Sequence, residues 1–201
     1  MTFTKTLLGA SALTLLAAPA LAAMSVTATT NLNVRSGPGP QYPVTTIIGV
    51  DQSAVLDGCI DNSKWCQVEV GGVAGWAYSE YLVADYSGER TVVYQNQATI
   101  GVPVITYDNP DGVVAAGPVA GTISAGTVVG DVIEPAPTTR TYIEANPVDQ
   151  VYLDGEVVVG GTLPPDVDLY EVPEGQYRYV YINGQEVLVT PDTRQIVYVY
   201  R

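Results

Sequence analysis

The chain has no histidine and only two cysteines among 201 residues. Without histidine there is no Ser-His or Cys-His nucleophile pair and no His-ligated zinc site. Two cysteines cannot build a four-Cys metal site. Basic residues are also scarce, with 8 Lys+Arg against 21 Asp+Glu and a net charge of −13. Such a surface is repelled by phosphate backbones and by anionic lipid, so nucleic acid is excluded as a partner and membrane surfaces are disfavoured. The acidity fits solubility in an exported protein. No apolar run is long enough to be a good membrane span.

Residues 1–23 read MTFTKTLLGASALTLLAAPALAA. One charge, Lys5, precedes an apolar stretch from Leu7 to Ala18, and Ala20-Leu21-Ala22 is a small-x-small cleavage site. This is the secretory signal pattern, with cleavage expected near Ala22/Ala23 and a periplasmic or secreted mature chain. Loss of Lys5 makes that chain one unit more acidic.

Glycine and proline are plentiful, at 20 and 14, and 47% of the residues are apolar, which predicts a folded chain of short strands and turns. Within 26–84, apolar stretches at 32–34, 44–48, 53–60, 65–70 and 73–78 are separated by turn signals, among them Gly71-Gly72. Five short strands in about sixty residues predict a small barrel. Cys59 and Cys66 flank the Asp61–Lys64 turn and are expected to face each other as a disulfide, favoured in an exported chain.

Asn31-Leu-Asn-Val-Arg-Ser-Gly-Pro-Gly39, Tyr42-Pro43, Trp65-Cys-Gln-Val68, Gly75-Trp76 and Tyr81-Leu82 occur in the order of the bacterial SH3 family, which this module resembles. The resemblance implies a small β-barrel, a place in exported proteins, and in several members binding to peptidoglycan peptides. The candidate ligand-binding residues are Arg35, Ser36, Tyr42, Trp76, Tyr78 and Tyr81. Tyrosines and Trp76 can line an aromatic groove. Alternatively, Trp76 fills the barrel core with Leu32 and Val34, and the tyrosines are exposed without a ligand.

Residues 85–137 have a weak pattern, and glycines at 112, 117, 121, 126 and 130 punctuate their second half. The composition predicts a Gly/Pro-rich linker of low order. The alternative is that 111–133 is a glycine-zipper helix that drives oligomerisation, from the Gly117/Gly121 and Gly126/Gly130 spacings.

Residues 138–201 carry two hairpin signals, Asp154-Gly155 and Asn183-Gly184, and dense tyrosine. A two-residue turn at Asn183-Gly184 pairs Tyr179 with Leu188. A four-residue turn at 191–194 pairs Leu188 with Val197 and Val187 with Tyr198. Both faces of this antiparallel meander then carry apolar rows. Thr139-Arg-Thr-Tyr-Ile-Glu-Ala-Asn-Pro147, Tyr179-x-Tyr-Ile-Asn-Gly184 and Pro191-Asp-Thr-Arg194 are similar to the DUF1236 family of exported alphaproteobacterial proteins. That resemblance implies an architecture and no activity.

The expectation is thus an all-β protein: an SH3-like barrel at 26–84, a linker at 85–137 and a small β module at 138–201. Its expected role is non-catalytic binding of peptidoglycan or an envelope protein, with no cofactor and no metal. A cell-wall hydrolase is the remaining alternative, requiring two acids across a cleft. Asp149, Asp154, Glu156, Asp166, Asp168 and Glu171 are available, but they read as turn residues. Asp108 and Asp111 lack an EF-hand pattern around them.

Overall fold

The computed structural model describes residues 23–109, 112, 117–126, 133–173 and 175–201. The signal-type segment lies outside these residues, apart from Ala23. The fold is all-β, and the described residues form two sheets and two short α-helices. No helix among the described residues is long and apolar enough to cross a membrane.

The first sheet contains β1 (Met24–Ala28), β2 (Leu32–Arg35), β3 (Val44–Ile48), β4 (Ser53–Ile60), β5 (Trp65–Val70), β6 (Val73–Tyr78) and β7 (Leu82–Tyr86). Their order is β3-β2-β6-β5-β4-β1-β7, and every pairing along it is antiparallel. Alternation places Val26, Leu32, Val34, Leu56, Val68 and Trp76 in one core. The Gly71-Gly72 turn has φ of 58° and 81°, as a two-residue hairpin requires. At Gly75 a side chain would collide with Val34 and the Arg35 carbonyl, so glycine there lets β2 and β6 meet. Cys59 and Cys66 are cross-strand partners of β4 and β5 and form the expected disulfide. The chain-entropy model values so short a loop at about 2.5 kcal/mol.

The next stretch corrects the linker expectation. β8 (Glu89–Val92) pairs with β7, α1 (Val93–Ile100) follows it, and β9 (Val104–Ile105) pairs in parallel with Cys59 and Ile60. Val93, Ile100 and Val102 are buried in the barrel core. These few apolar residues were too scattered to show a period, yet they are enough to cap the barrel. Gly101, with φ 74°, ends α1.

The second sheet begins at β10 (Val119–Thr122), also inside the expected linker. A strand through Gly121 replaces the helix that the first glycine-zipper spacing required. The second spacing reaches Gly130, which lies outside the described residues. After α2 (Pro137–Ala145) come β11 (Gln150–Asp154), β12 (Tyr170–Glu171), β13 (Arg178–Ile182), β14 (Gln185–Val189) and β15 (Ile196–Val199). The order is β10-β11-β13-β14-β15, with β12 also on β13.

This sheet is mixed, not a simple meander. The Asn183-Gly184 hairpin has the expected register, Tyr179 with Leu188 and Val180 with Val187. Asp154-Gly155 does not form a hairpin. β11 pairs in parallel with β10 and β13 instead, and residues 156–159 leave the sheet as a buried loop. The last pairing starts in the expected register, with Val189 opposite Ile196, and then slips by one residue, with Leu188 opposite Tyr198 and Val187 opposite Val199. The turn itself keeps its expected four residues: Arg194, at φ 55°, donates its N–H to the Thr190 carbonyl, the Thr190 N–H donates to the Gln195 carbonyl, and Val189 stands opposite Ile196, so the extra residue is a bulge at Val197. Both faces are covered. Val180, Ile182, Val187 and Val189 face Leu153, Val157 and Leu163. Tyr179 and Leu188 face Ile143 of α2, Val172 and Tyr200.

Candidate functional site

Leu32 and Val34 point into the barrel, so strand alternation sends Asn33 and Arg35 to the opposite face. That face is not open to solvent. The second unit covers it, leaving Asn33 and Arg35 at 0% and 1% exposure. The resulting seam is polar. Asn33 Nδ2 donates to Gln185 Oε1 at 2.9 Å and also to Glu156 Oε1. Arg201 donates to Asn33 Oδ1 at 3.0 Å and to the Asn31 and Val157 carbonyls. Arg35 donates through Nη1 to the Pro40 and Tyr42 carbonyls and through Nη2 to the Asn183 carbonyl at 3.1 Å.

Arg35 therefore ties three things together: its own strand, the 36–43 loop and the β13–β14 turn. Asn183 is the matching tie in the second unit. It occupies the left-handed region at φ 51°, which asparagine tolerates. Its side chain accepts from the Leu153 N–H and donates to the Leu153 and Gly155 carbonyls. The turn residue that marks the hairpin thus also anchors the end of β11.

Glu156 is fully buried, and burial pushes its carboxyl up to about 7 against the opposing pull of Arg35 and Arg201. Burial likewise lowers both guanidinium values, with Glu156 opposing it. Glu156 Oε2 and Arg35 Nε make no protein hydrogen bond.

The six sequence-derived site residues do not form one surface. Arg35 lies in the seam. The Ser36 hydroxyl is buried, and its N–H donates to the Pro43 carbonyl, closing the loop. Trp76 is a core residue, 5% exposed. Tyr42 and Trp76 both meet Tyr107, a residue of the expected linker, in edge-to-face contacts with centroids 5.9 and 5.4 Å apart. Tyr78 is buried against Trp65, and Tyr81 stacks beside it. Burial is the largest influence on both phenols: Tyr81 is pushed up to about 12, and Tyr78 is raised despite its contact with Lys64. Lys64 is held charged: burial opposes this, but Glu80, at 2.7 Å, and Tyr78 outweigh it.

Where the two units meet, a cleft of about 380 Å³ remains open. Pro40, Tyr42 and Val44 form one wall, Gln150, Tyr152 and Gly184 the other, with Arg35 and Asn183 among the lining groups. Among the described residues no carboxylate lines it, in a chain of net charge −13. Tyr42 and Arg35 were legible as candidates; Tyr152, Gln150 and Asn183 were not, because no local motif joins residues 40–44 to 150–184. Among the described residues no cluster of His, Cys, Asp or Glu could hold a metal ion.

No curated protein and no solved structure matches the chain. Residues 142–201 match the family profile described as a domain of unknown function, DUF1236. Residues 30–83, the barrel that supplies one wall of the cleft, match the bacterial SH3 domain family.

Proposed function

We propose that this chain is a non-catalytic, exported cell-envelope protein whose barrel and C-terminal unit together bind peptidoglycan or an envelope protein. The observation that carries the reading is the cleft between loop 40–44 and the β11 and β13–β14 residues. Its walls combine proline and tyrosine surfaces with amide groups, the mixture that suits a peptide. Arg35 holds the loop and the opposite turn at fixed separation through three carbonyl contacts, so little ordering cost attends binding. The match to the bacterial SH3 domain supports a binding role, and the disulfide and signal-type N-terminus support export.

A non-catalytic role is supported by the placement of the acids. The most perturbed carboxyl, Glu156, is sealed inside the seam, and no acid among the described residues lines this cleft; Asp149, Asp166 and Asp168 line a separate depression of about 270 Å³. A glycosidase needs two carboxyl groups facing a substrate.

The test is co-sedimentation of the mature chain with purified sacculi and with envelope extract. Wild type is expected to pellet, and Tyr152→Ala to reduce the bound fraction several-fold with the fold intact. A protein that stays in the supernatant in both mixtures overturns the reading. Release of soluble muropeptides by concentrated protein overturns the non-catalytic part.

A further inference from the structure

β4 is eight residues long, but β1 pairs only with Ser53 to Leu56. Its C-terminal half therefore presents a free edge on that side, and free edges attract strands. β9 occupies it with two rungs, Cys59 with Val104 and Ile60 with Ile105. The Cys59 N–H also donates to the Pro103 carbonyl at 2.9 Å. Beyond Val102 the segment alternates as an extended peptide does. Val104 is 70% exposed, while Ile105 and Tyr107 pack on the barrel core, Tyr107 against Tyr42 and Trp76.

Gly58 is the position that permits this approach. A Cβ there would lie 2.7 Å from both the Pro103 carbonyl oxygen and Ile105 Cγ2. Glycine within a strand marks close approach of another backbone.

Strand addition at an edge with alternate side chains in pockets is a mode of peptide recognition. We infer that the β4 edge with Tyr42 and Trp76 is a docking surface for an extended segment of another envelope protein, one that presents an aliphatic residue and an aromatic residue two positions later, and that residues 103–107 fill it as an internal stand-in. Two parallel rungs and an exposed Val104 make the stand-in cheap to displace relative to a core strand. This surface shares Tyr42 with the cleft, so each reading is tested at a residue that belongs to one alone: loss of sacculus binding tests Tyr152, and peptide capture tests Gly58.

The probe is a labelled peptide with the sequence of residues 102–109, VPVITYDN, titrated into the mature chain by fluorescence anisotropy. A filled groove lowers apparent affinity by the fraction of molecules that are open. Tyr107→Ala is expected to bind the peptide about tenfold or more tightly than wild type. Adding Gly58→Ala to that variant is expected to abolish the gain, as is replacing the peptide's tyrosine by alanine. If Tyr107→Ala does not fold, Ile105→Ser releases the same segment and serves in its place. Equal affinity of wild type and the folded release variant, or a gain that survives Gly58→Ala, overturns the inference. Wild-type dimers that the peptide dissolves also overturn it, because the occupant would then be a second copy of this chain.

Discussion

The barrel and the C-terminal unit are both small β structures, but they are held together in different ways. The barrel closes around a continuous apolar core, with a disulfide across neighbouring strands. The C-terminal unit has two smaller apolar clusters on opposite faces of one sheet. Polar ties hold its parts in place: Asn183 anchors the end of β11, and the Arg194 guanidinium donates to the Pro164 and Val167 carbonyls. The lesson is that apolar alternation suffices where sequence-adjacent strands pair. In the C-terminal unit, where β11 pairs in parallel with β10 and β13, buried polar groups help to fix its place.

Five substitutions or titrations sharpen that contrast. The largest effect is expected from Arg35→Ala, which removes three carbonyl contacts and leaves Glu156 with less cationic support, at a cost of about 4 kcal/mol. Urea unfolding of the mature chain measures it, and a change under about 1 kcal/mol would mean the seam does not stabilise the fold. Asn183→Ala follows, at about 3 kcal/mol, because three backbone groups at the end of β11 lose their partner. Proteolysis should then cut the second unit before the barrel; simultaneous loss of both would erase the distinction between them. Cys59→Ser with Cys66→Ser should cost about 2.5 kcal/mol, with the barrel transition affected and the C-terminal sheet preserved.

The fourth concerns pH. The Glu156 carboxyl stands at about 7 in the folded protein, above its ordinary value of 4.5. Between those values the folded state holds a proton that the unfolded state has released. The contribution of this group to stability is therefore fully present below about pH 4.5, falls as pH rises toward 7 and is flat above that. Glu156→Gln is expected to remove this component of the pH dependence, and parallel curves for the variant and wild type would contradict it. The smallest effect belongs to the exposed Arg140–Glu144 pair of α2: Arg140→Ala should leave the midpoint unchanged.

Much of the barrel was readable from local signals. Gly71-Gly72 and Asn183-Gly184 announced hairpins because φ > 0 is confined to few residue types. Cys59 and Cys66 were readable as a pair because the turn between them is short. The Asp154-Gly155 signal failed because Gly155, at φ 108°, turns the chain into a buried loop, carrying Glu156 to the seam. The shift at Val187 and Leu188 was hidden because it arises at a bulge on Val197, beyond a turn of the expected length, and the apolar run of β15 carries no signal for an extra residue. The candidate site was half legible. Arg35 and Tyr42 stood out by residue type, but their partners Asn183, Tyr152 and Tyr107 are 65 or more positions away.

By itself the sequence determined the class of the fold, the barrel strands, two tight hairpins and the disulfide. These depend on alternation, glycine conformation and short loops, all written within a few residues of one another. It also set the exclusion of histidine chemistry. Tertiary structure decided which outward-facing polar groups of β2 were buried, that the expected linker supplied strands to both sheets, and where a cleft remained. Those outcomes depend on which surfaces meet across the chain, and a polar residue on an outward strand face reads the same whether water or another unit covers it.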